Sequence, residues 1–363
     1  MKITFPNLGN TIYAAKAVFD NLGIDYVLPE ASSKKCLELG SLYSSEDICL
    51  PFKIMLGAYI DCIKRGADTI LLTGSCGPCR FGEYCELQMN LLNKLGHNID
   101  FIVLDRPSAI GKTEFSNRLK KISNESNVSN YKKFKTLYLA YKIINLIDYI
   151  EKSARFKAGF ELKKGECKRI LESCKKSAIK CNTAESMFDI LIKYKHMINH
   201  VPIDVNKKPL KISIIGEIYT ILEPFSNFYI ENKLMDLGIS TTKTLTPSWW
   251  FKDAILSYLK LNSLNLKFNS RKYLPYYIGG HGRECIGEAV IASNSGFDGA
   301  VQLFPMGCMP EIVSKSILPT ISKDKDFPIL SLIIDEMTGD TGYMTRIEAF
   351  IDLLERRKDR CII

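Results

Sequence analysis

No apolar run in this sequence approaches the roughly 18 residues of a membrane-spanning helix, and the N-terminus lacks the basic, apolar and small-residue succession of a secretory signal. The first absence speaks against a membrane span. The second sets the expectation of a reducing cytoplasm, in which structural disulfides are rare. A phosphate-binding loop is lacking as well. Gly111-Lys112-Thr113 has the right ending, but Arg106 stands where the first glycine belongs, so no ATP site of the chain's own is expected. Close cysteine pairs are scarce too: Cys76 and Cys79 form one, whereas a structural zinc site usually offers two.

Thiols themselves are abundant. The chain has twelve cysteines, and three of them, Cys76, Cys79 and Cys85, fall within Gly74-Ser75-Cys76-Gly77-Pro78-Cys79-Arg80-Phe81-Gly82-Glu83-Tyr84-Cys85, directly after the apolar run Thr69 to Leu72. A strand that runs into a Gly/Pro-punctuated loop is where an α/β fold exposes functional groups. Thiolates packed that closely repel one another unless a metal, a cluster or a disulfide compensates them, and the expected compartment makes the disulfide the weakest of the three.

A length of 363 residues suggests two or three domains, and 46 % hydrophobic with 25 % charged residues is ordinary globular composition. The net charge of +9 is unevenly spread. Residues 1–111 balance at −2, residues 112–180 at +11 and residues 181–363 at zero. The basic segment has helical periodicity from Tyr131 to Ile150 and again from Phe156 to Ile179. Its lysines read as a solvated helical face or, functionally, as a surface for an acidic partner. Aromatic residues spaced for base stacking are sparse there, so no nucleic acid is expected.

On either side of that segment, strands alternate with helices. Before it come strands at Lys2 to Phe5, Tyr26 to Leu28, Thr69 to Leu72 and Phe101 to Leu104, with helices at Thr11 to Leu22, Pro51 to Arg65 and Glu83 to Leu95. After it come strands at Lys211 to Ile215, Ala300 to Phe304 and Pro328 to Ile334. The helices there run over Phe228 to Leu237, Ser248 to Leu261, Ile312 to Ile317 and Thr345 to Glu355. This grammar is that of parallel sheets covered on both faces. It predicts two α/β lobes, 1–111 and 209–363, joined by a basic helical connector at 112–208, with a cleft lined by the carboxyl ends of the strands.

The cysteines separate by their surroundings. Cys49 precedes Leu50-Pro51, a helix start whose N–H groups and dipole favour a thiolate. Cys76 and Cys79 follow a strand, and Cys308, in Phe304-Pro305-Met306-Gly307-Cys308-Met309-Pro310-Glu311, repeats that arrangement. Cys285 lies in the glycine-rich stretch Gly279-Gly280-His281-Gly282-Arg283-Glu284-Cys285, and Cys85 six residues beyond Cys79 is a second-rank ligand. Each could alone be a small buried hydrophobe. It is the shared position of Cys49, Cys76, Cys79 and Cys308 at strand-to-helix junctions that argues for a joint site. Cys167, Cys174 and Cys181 recur every seven residues, about 10.5 Å along a helix, too far to share one metal, so they read as packing. Ligands spread over two lobes suit an iron–sulfur cluster better than zinc. Around the cleft, His281 is a candidate proton donor, Arg283 an anion clamp and Glu217 a lining acid. Asp335-Glu336 ends the last strand.

Ile48-Cys49-Leu50-Pro51-Phe52-Lys53, Gly77-Pro78-Cys79-Arg80-Phe81-Gly82, Gly280-His281-Gly282-Arg283-Glu284, Cys308-Met309-Pro310-Glu311, Asp335-Glu336 and Thr345-Arg346-Ile347-Glu348-Ala349-Phe350 together resemble the 2-hydroxyacyl-CoA dehydratase superfamily, nearest the branch of dehydratase activator and double-cubane iron–sulfur proteins. The resemblance implies two flavodoxin-like lobes holding a cysteine-ligated cluster, [4Fe–4S] or double-cubane, in the cleft between them. Its ligands would be Cys49, Cys76 or Cys79, and Cys308, with Cys285 and Cys85 as further candidates. It also implies a separate ATP-hydrolysing iron–sulfur activator protein that delivers a low-potential electron, reductive or radical dehydration chemistry, and a homo- or hetero-oligomer. An electron-transfer or accessory protein without its own substrate, or a zinc-stabilised scaffold, are the alternative readings.

Overall fold

A computed structural model describes residues 1–74, 79–105, 110–257 and 261–360. The chain opens with β1 (Ile3–Thr4), α1 (Thr11–Leu22), α2 (Lys34–Tyr43), α3 (Leu50–Lys64), β2 (Thr69–Thr73), α4 (Tyr84–Lys94) and β3 (Asp100–Leu104). Helices α5 (Lys112–Asn124), α6 (Asn130–Lys157), α7 (Glu166–Ile179) and α8 (Ala184–Asn199) follow. Then come β4 (Lys211–Gly216), α9 (Ile218–Leu222), α10 (Ile230–Asp236), β5 (Ser240–Thr242), α11 (Pro247–Ser257) and α12 (Leu264–Ser270). The last elements are α13 (Gly282–Asn294), β6 (Gly299–Pro305), α14 (Met309–Asp324), β7 (Ile329–Ile334) and α15 (Asp340–Arg360).

Both sheets are parallel. The second runs β5-β4-β6-β7. The first runs β1-β2-β3, and Tyr26 bridges Ile3 on the free side of β1. Counted in chain order within each lobe, both are therefore arranged 2-1-3-4, the order of a flavodoxin-like sheet. Such a sheet opens a crevice where the order reverses, beyond the carboxyl ends of its first and third strands. In the second lobe those ends are Gly216 and Pro305, and in the first they are Thr4 and Thr73.

The central strands are buried on both faces, as parallel sheets require: every residue of β6 is buried, and all of β4 except Lys211. One continuous apolar core joins Phe52, Leu56 and Leu72 of the first lobe to Ile214, Leu303 and Ile334 of the second. A second core packs α1 against the basic helices through Tyr13, Ala17, Ile143, Ile147 and Leu191. Cys167, Cys174 and Cys181 lie in it at 0 %, 0 % and 6 % exposure, as packing residues.

Some local expectations change. The lysine-rich helix does not run on from Phe156. It stops at Lys157, because Gly159 sits so close to Ser240 that a side-chain carbon there would lie 2.3 Å from its Oγ. The strand expected at Tyr26 to Leu28 is a single bridge. The glycine-rich stretch becomes helix at Gly282, so Arg283 and Cys285 stand on α13 rather than in a loop. The basic face of α6 also carries exposed aromatics at helical spacing, Tyr131 and Phe134 at 78 % and 72 % exposure, followed by Tyr138 and Tyr141.

Candidate functional site

The residues singled out by the sequence stand mostly at the first turns of helices. Cys49 precedes α3 and Cys308 precedes α14, each with a proline in the first turn. Cys79 precedes a short 3₁₀ turn, Arg80–Glu83, that leads into α4. Glu217 precedes α9 and His281 precedes α13. Proline pre-sets the first helical φ and spares a donor that would be unpaired in any case, which is why the starts after Cys49 and Cys308 are legible in sequence. Helix starts aim N–H groups and the positive end of a dipole at what lies beyond them, and so favour negative charge.

Two glycines bring the loops together. Gly307 has φ +79°, and a side-chain carbon on it would lie 3.0 Å from the Asp47 carbonyl oxygen and 3.5 Å from Cys49 Cα. The loop bearing Cys308 therefore passes directly against the loop bearing Cys49. Gly280 has φ +50°, and a side-chain carbon there would meet Pro310 Cγ at 2.8 Å and Cys79 Sγ at 3.5 Å. Arg80 ties the same loops from beside Cys79, donating to the Asp47 carbonyl at 3.1 Å and to the Gly307 carbonyl. Further out, buried Lys53 Nζ pairs with Glu336 Oε1 at 2.8 Å, joining α3 to the loop after β7.

Cys49, Cys79 and Cys308 thus converge from both lobes. Burial pushes all three thiols up, and the Glu217 carboxylate adds to the shift in each, while Arg80 works against it at Cys49 and Cys79. The Tyr84 hydroxyl hydrogen-bonds to Cys49 Sγ. Glu217 itself caps α9: its carboxylate accepts from Tyr219 N at 2.9 Å, Thr220 N at 2.8 Å and Thr220 Oγ1 at 2.8 Å. Without a cation the thiols stay protonated, and a bound metal would displace those protons. Among the described residues no group of three or more His, Cys, Asp or Glu side chains is arranged around a single ion. A cluster asks for something else, since its thiolates bind different irons, and three thiols gathered at helix starts in a buried crevice fit that donor set.

The other candidates are placed differently. Cys76 lies outside the described residues. Cys85 sits in the first turn of α4, half-buried against the first-lobe core. Cys285 is fully buried within the second lobe, against Glu311 and Ser314. His281 meets the Trp249 ring edge-on at 6.1 Å, and the Arg283 guanidinium lies over Tyr277 at 5.6 Å. Sequence reasoning missed the roles of Arg80 and Tyr84, whose partners are distant in sequence. It also missed a set of buried acids behind the site. Burial raises Glu288 and Glu311 to about 8 and moves Glu284 in the same direction. Gln302 Nε2 donates to Glu311 Oε2 at 2.7 Å.

Two flavodoxin-like parallel sheets in one chain define a class of two-lobed α/β proteins. Residues 7–244, well over half the chain, match the family described as CoA enzyme activase uncharacterised domain (DUF2229), and the chain belongs to that family. This places it broadly with the 2-hydroxyacyl-CoA dehydratases and their activators. The matched region includes Cys49, Cys79 and Glu217 and ends before His281 and Cys308. Comparison with curated proteins gives no match. Among the described residues, no helix is long and apolar enough to cross a membrane.

Proposed function

We propose that this chain is an iron–sulfur protein of the dehydratase and activator group, with Cys49, Cys79 and Cys308 as ligands of a [4Fe–4S] or double-cubane cluster. Cys76 is the natural fourth thiol by its place in the sequence. The lobes at 1–111 and 209–363, with the connector at 112–208, are the units of this reading. The observation that carries it is the convergence of three thiols, from both lobes, at helix starts pinned by Gly307 and Arg80. When bound, the cluster supplies a low-potential electron, delivered to it by an ATP-hydrolysing activator. The chain's own residues exclude water, aim backbone N–H groups at the sulfurs and, through Tyr84, hydrogen-bond one of them. Anaerobically purified protein is expected to be brown, with about four or about eight irons and matching sulfide per chain, the nuclearities of one or two cubanes. Colourless protein holding one zinc overturns the proposal.

A second reading, an electron carrier without its own substrate, is favoured by the engagement of Glu217, which spends both carboxylate oxygens on capping α9. Substrate-dependent reoxidation of the reduced protein separates the two. An enzyme reoxidises faster with a 2-hydroxyacyl-CoA or a small reducible molecule, and a carrier does not.

A further inference from the structure

A cavity of about 400 Å³ opens where the loop after β1, the basic helices α6 and α7, and the second lobe between α9 and α11 meet. It is separate from the thiols but close to them. Helix α9 starts at Glu217 beside the cysteines and ends at Leu222 and Glu223 in the cavity wall. Five residues of helix span only about 7.5 Å.

Its charges do not cancel. Arg155 bridges Glu151 at 2.8 Å and Glu231 at 3.2 Å, Lys175 reaches Glu151 at 3.0 Å, and Lys243 reaches Glu231 at 2.7 Å. Three buried or half-buried cations therefore share two carboxylates. Asp148 is held by the Asn10 side chain and the Ser248 N–H, both at 2.7 Å. Burial pushes Asp148 up, and Glu223 to about 7, toward the neutral form. At the mouth, exposed Lys152 and Lys176 have no ion-pair or hydrogen-bond partner among the described residues.

Ile12, Tyr13, Leu28, Leu222 and Tyr229 supply apolar wall. Tyr229 and its neighbour Phe228 both hold φ +55°, a left-handed conformation unusual for aromatic residues and one that collects at ligand sites.

We propose that this cavity binds a small organic anion with an apolar body, its phosphate or carboxylate head held by Lys152 and Lys176. The size is that of a small-molecule pocket, mostly apolar with a few converging polar groups. The proposal stands independently of any cluster.

The test is calorimetric titration of the full chain with phenyl phosphate, benzoate, inorganic phosphate and benzylamine. Phenyl phosphate or benzoate is expected to bind, and whichever is tighter identifies the head group. The surface double variant Lys152→Met/Lys176→Met should weaken that binding tenfold or more while its circular dichroism and melting temperature stay unchanged. Binding of benzylamine or inorganic phosphate as tightly as the aromatic anions, absence of binding by either aromatic anion at millimolar concentration, or equal affinity in the double-lysine variant overturns the proposal.

Discussion

Cys49 and Cys174 are both buried, 7 % and 0 % exposed, and burial alone would make them equivalent. Their neighbours separate them. Cys174 lies inside α7 among apolar side chains, whereas Cys49 stands at a helix start with Tyr84, Arg80 and Cys79 around it. Replacing Cys49, Cys79 or Cys308 by Ala is expected to strip most of the iron from anaerobically purified protein, and Cys174→Ala to leave iron content unchanged. Equal loss in Cys174→Ala would end the distinction. The junctions that carry the first three were legible because glycine and proline mark strand ends and helix starts. Arg80 and Tyr84 were not, because their partners are 227 and 35 residues away. The buried acids were equally hidden, since nothing local distinguishes Glu288 from a surface glutamate. Its carboxyl is raised to about 8 by burial, from 4.5. Between those values the unfolded chain has lost a proton that the native state keeps, so stability falls as pH rises from about 5 to 8. Glu288→Gln should flatten that slope, and urea unfolding at both pH values should show the variant gaining most at pH 8. A parallel pair of curves would refute the buried neutral acid.

At the level of elements, most of the parallel strands and the helices α1, α3, α4, α6 and α15 followed from apolar runs and 3.6-residue spacing, whereas α2, α8 and α13 were not placed and α14 was expected only over Ile312 to Ile317. Strand β5 has three residues, Ser240–Thr242, too few and too polar to stand out. Helix α13 starts at Gly282 because Gly282 packs on the Pro310 carbonyl and Ser314 Oγ, which a glycine-rich string does not announce. The same close packing makes the loop before α14 an exposed weakness of the site. Gly307→Ala forces a side chain into φ +79° and places a carbon 3.0 Å from the Asp47 carbonyl. The expected cost is about 1–3 kcal/mol. Because the displaced loop carries Cys308, iron retention should suffer more than stability. Denaturant unfolding and iron assay on the same preparation check this, and a variant that loses stability but keeps its iron would uncouple Gly307 from the site.

Across the whole molecule, charge and site are segregated. The crevices at the strand ends gather thiols and buried acids, while the +11 excess lies in residues 112–180 of the connector. That excess was legible by counting, but its character was not. The lysines of α6 share their face with Tyr131, Phe134 and Tyr138, so this surface is amphipathic rather than merely solvated. With no phosphate-binding loop of its own, a low-potential cluster in this chain must be charged from outside, and an ATP-hydrolysing activator is the source our proposal names. An acidic partner would be drawn to the connector at long range, an effect on association rate that salt screens over about 10 Å at 0.1 M. Mixed with a cognate activator, the protein should be reduced only when ATP is present. The rate should fall by about tenfold or more from low to high ionic strength, within the range that electrostatic steering spans. Stopped-flow absorbance of the cluster under anaerobic conditions reads both effects. Reduction that ignores ATP removes the activator from the scheme, and a rate that ignores salt removes the basic helices from the encounter while leaving the activator in place.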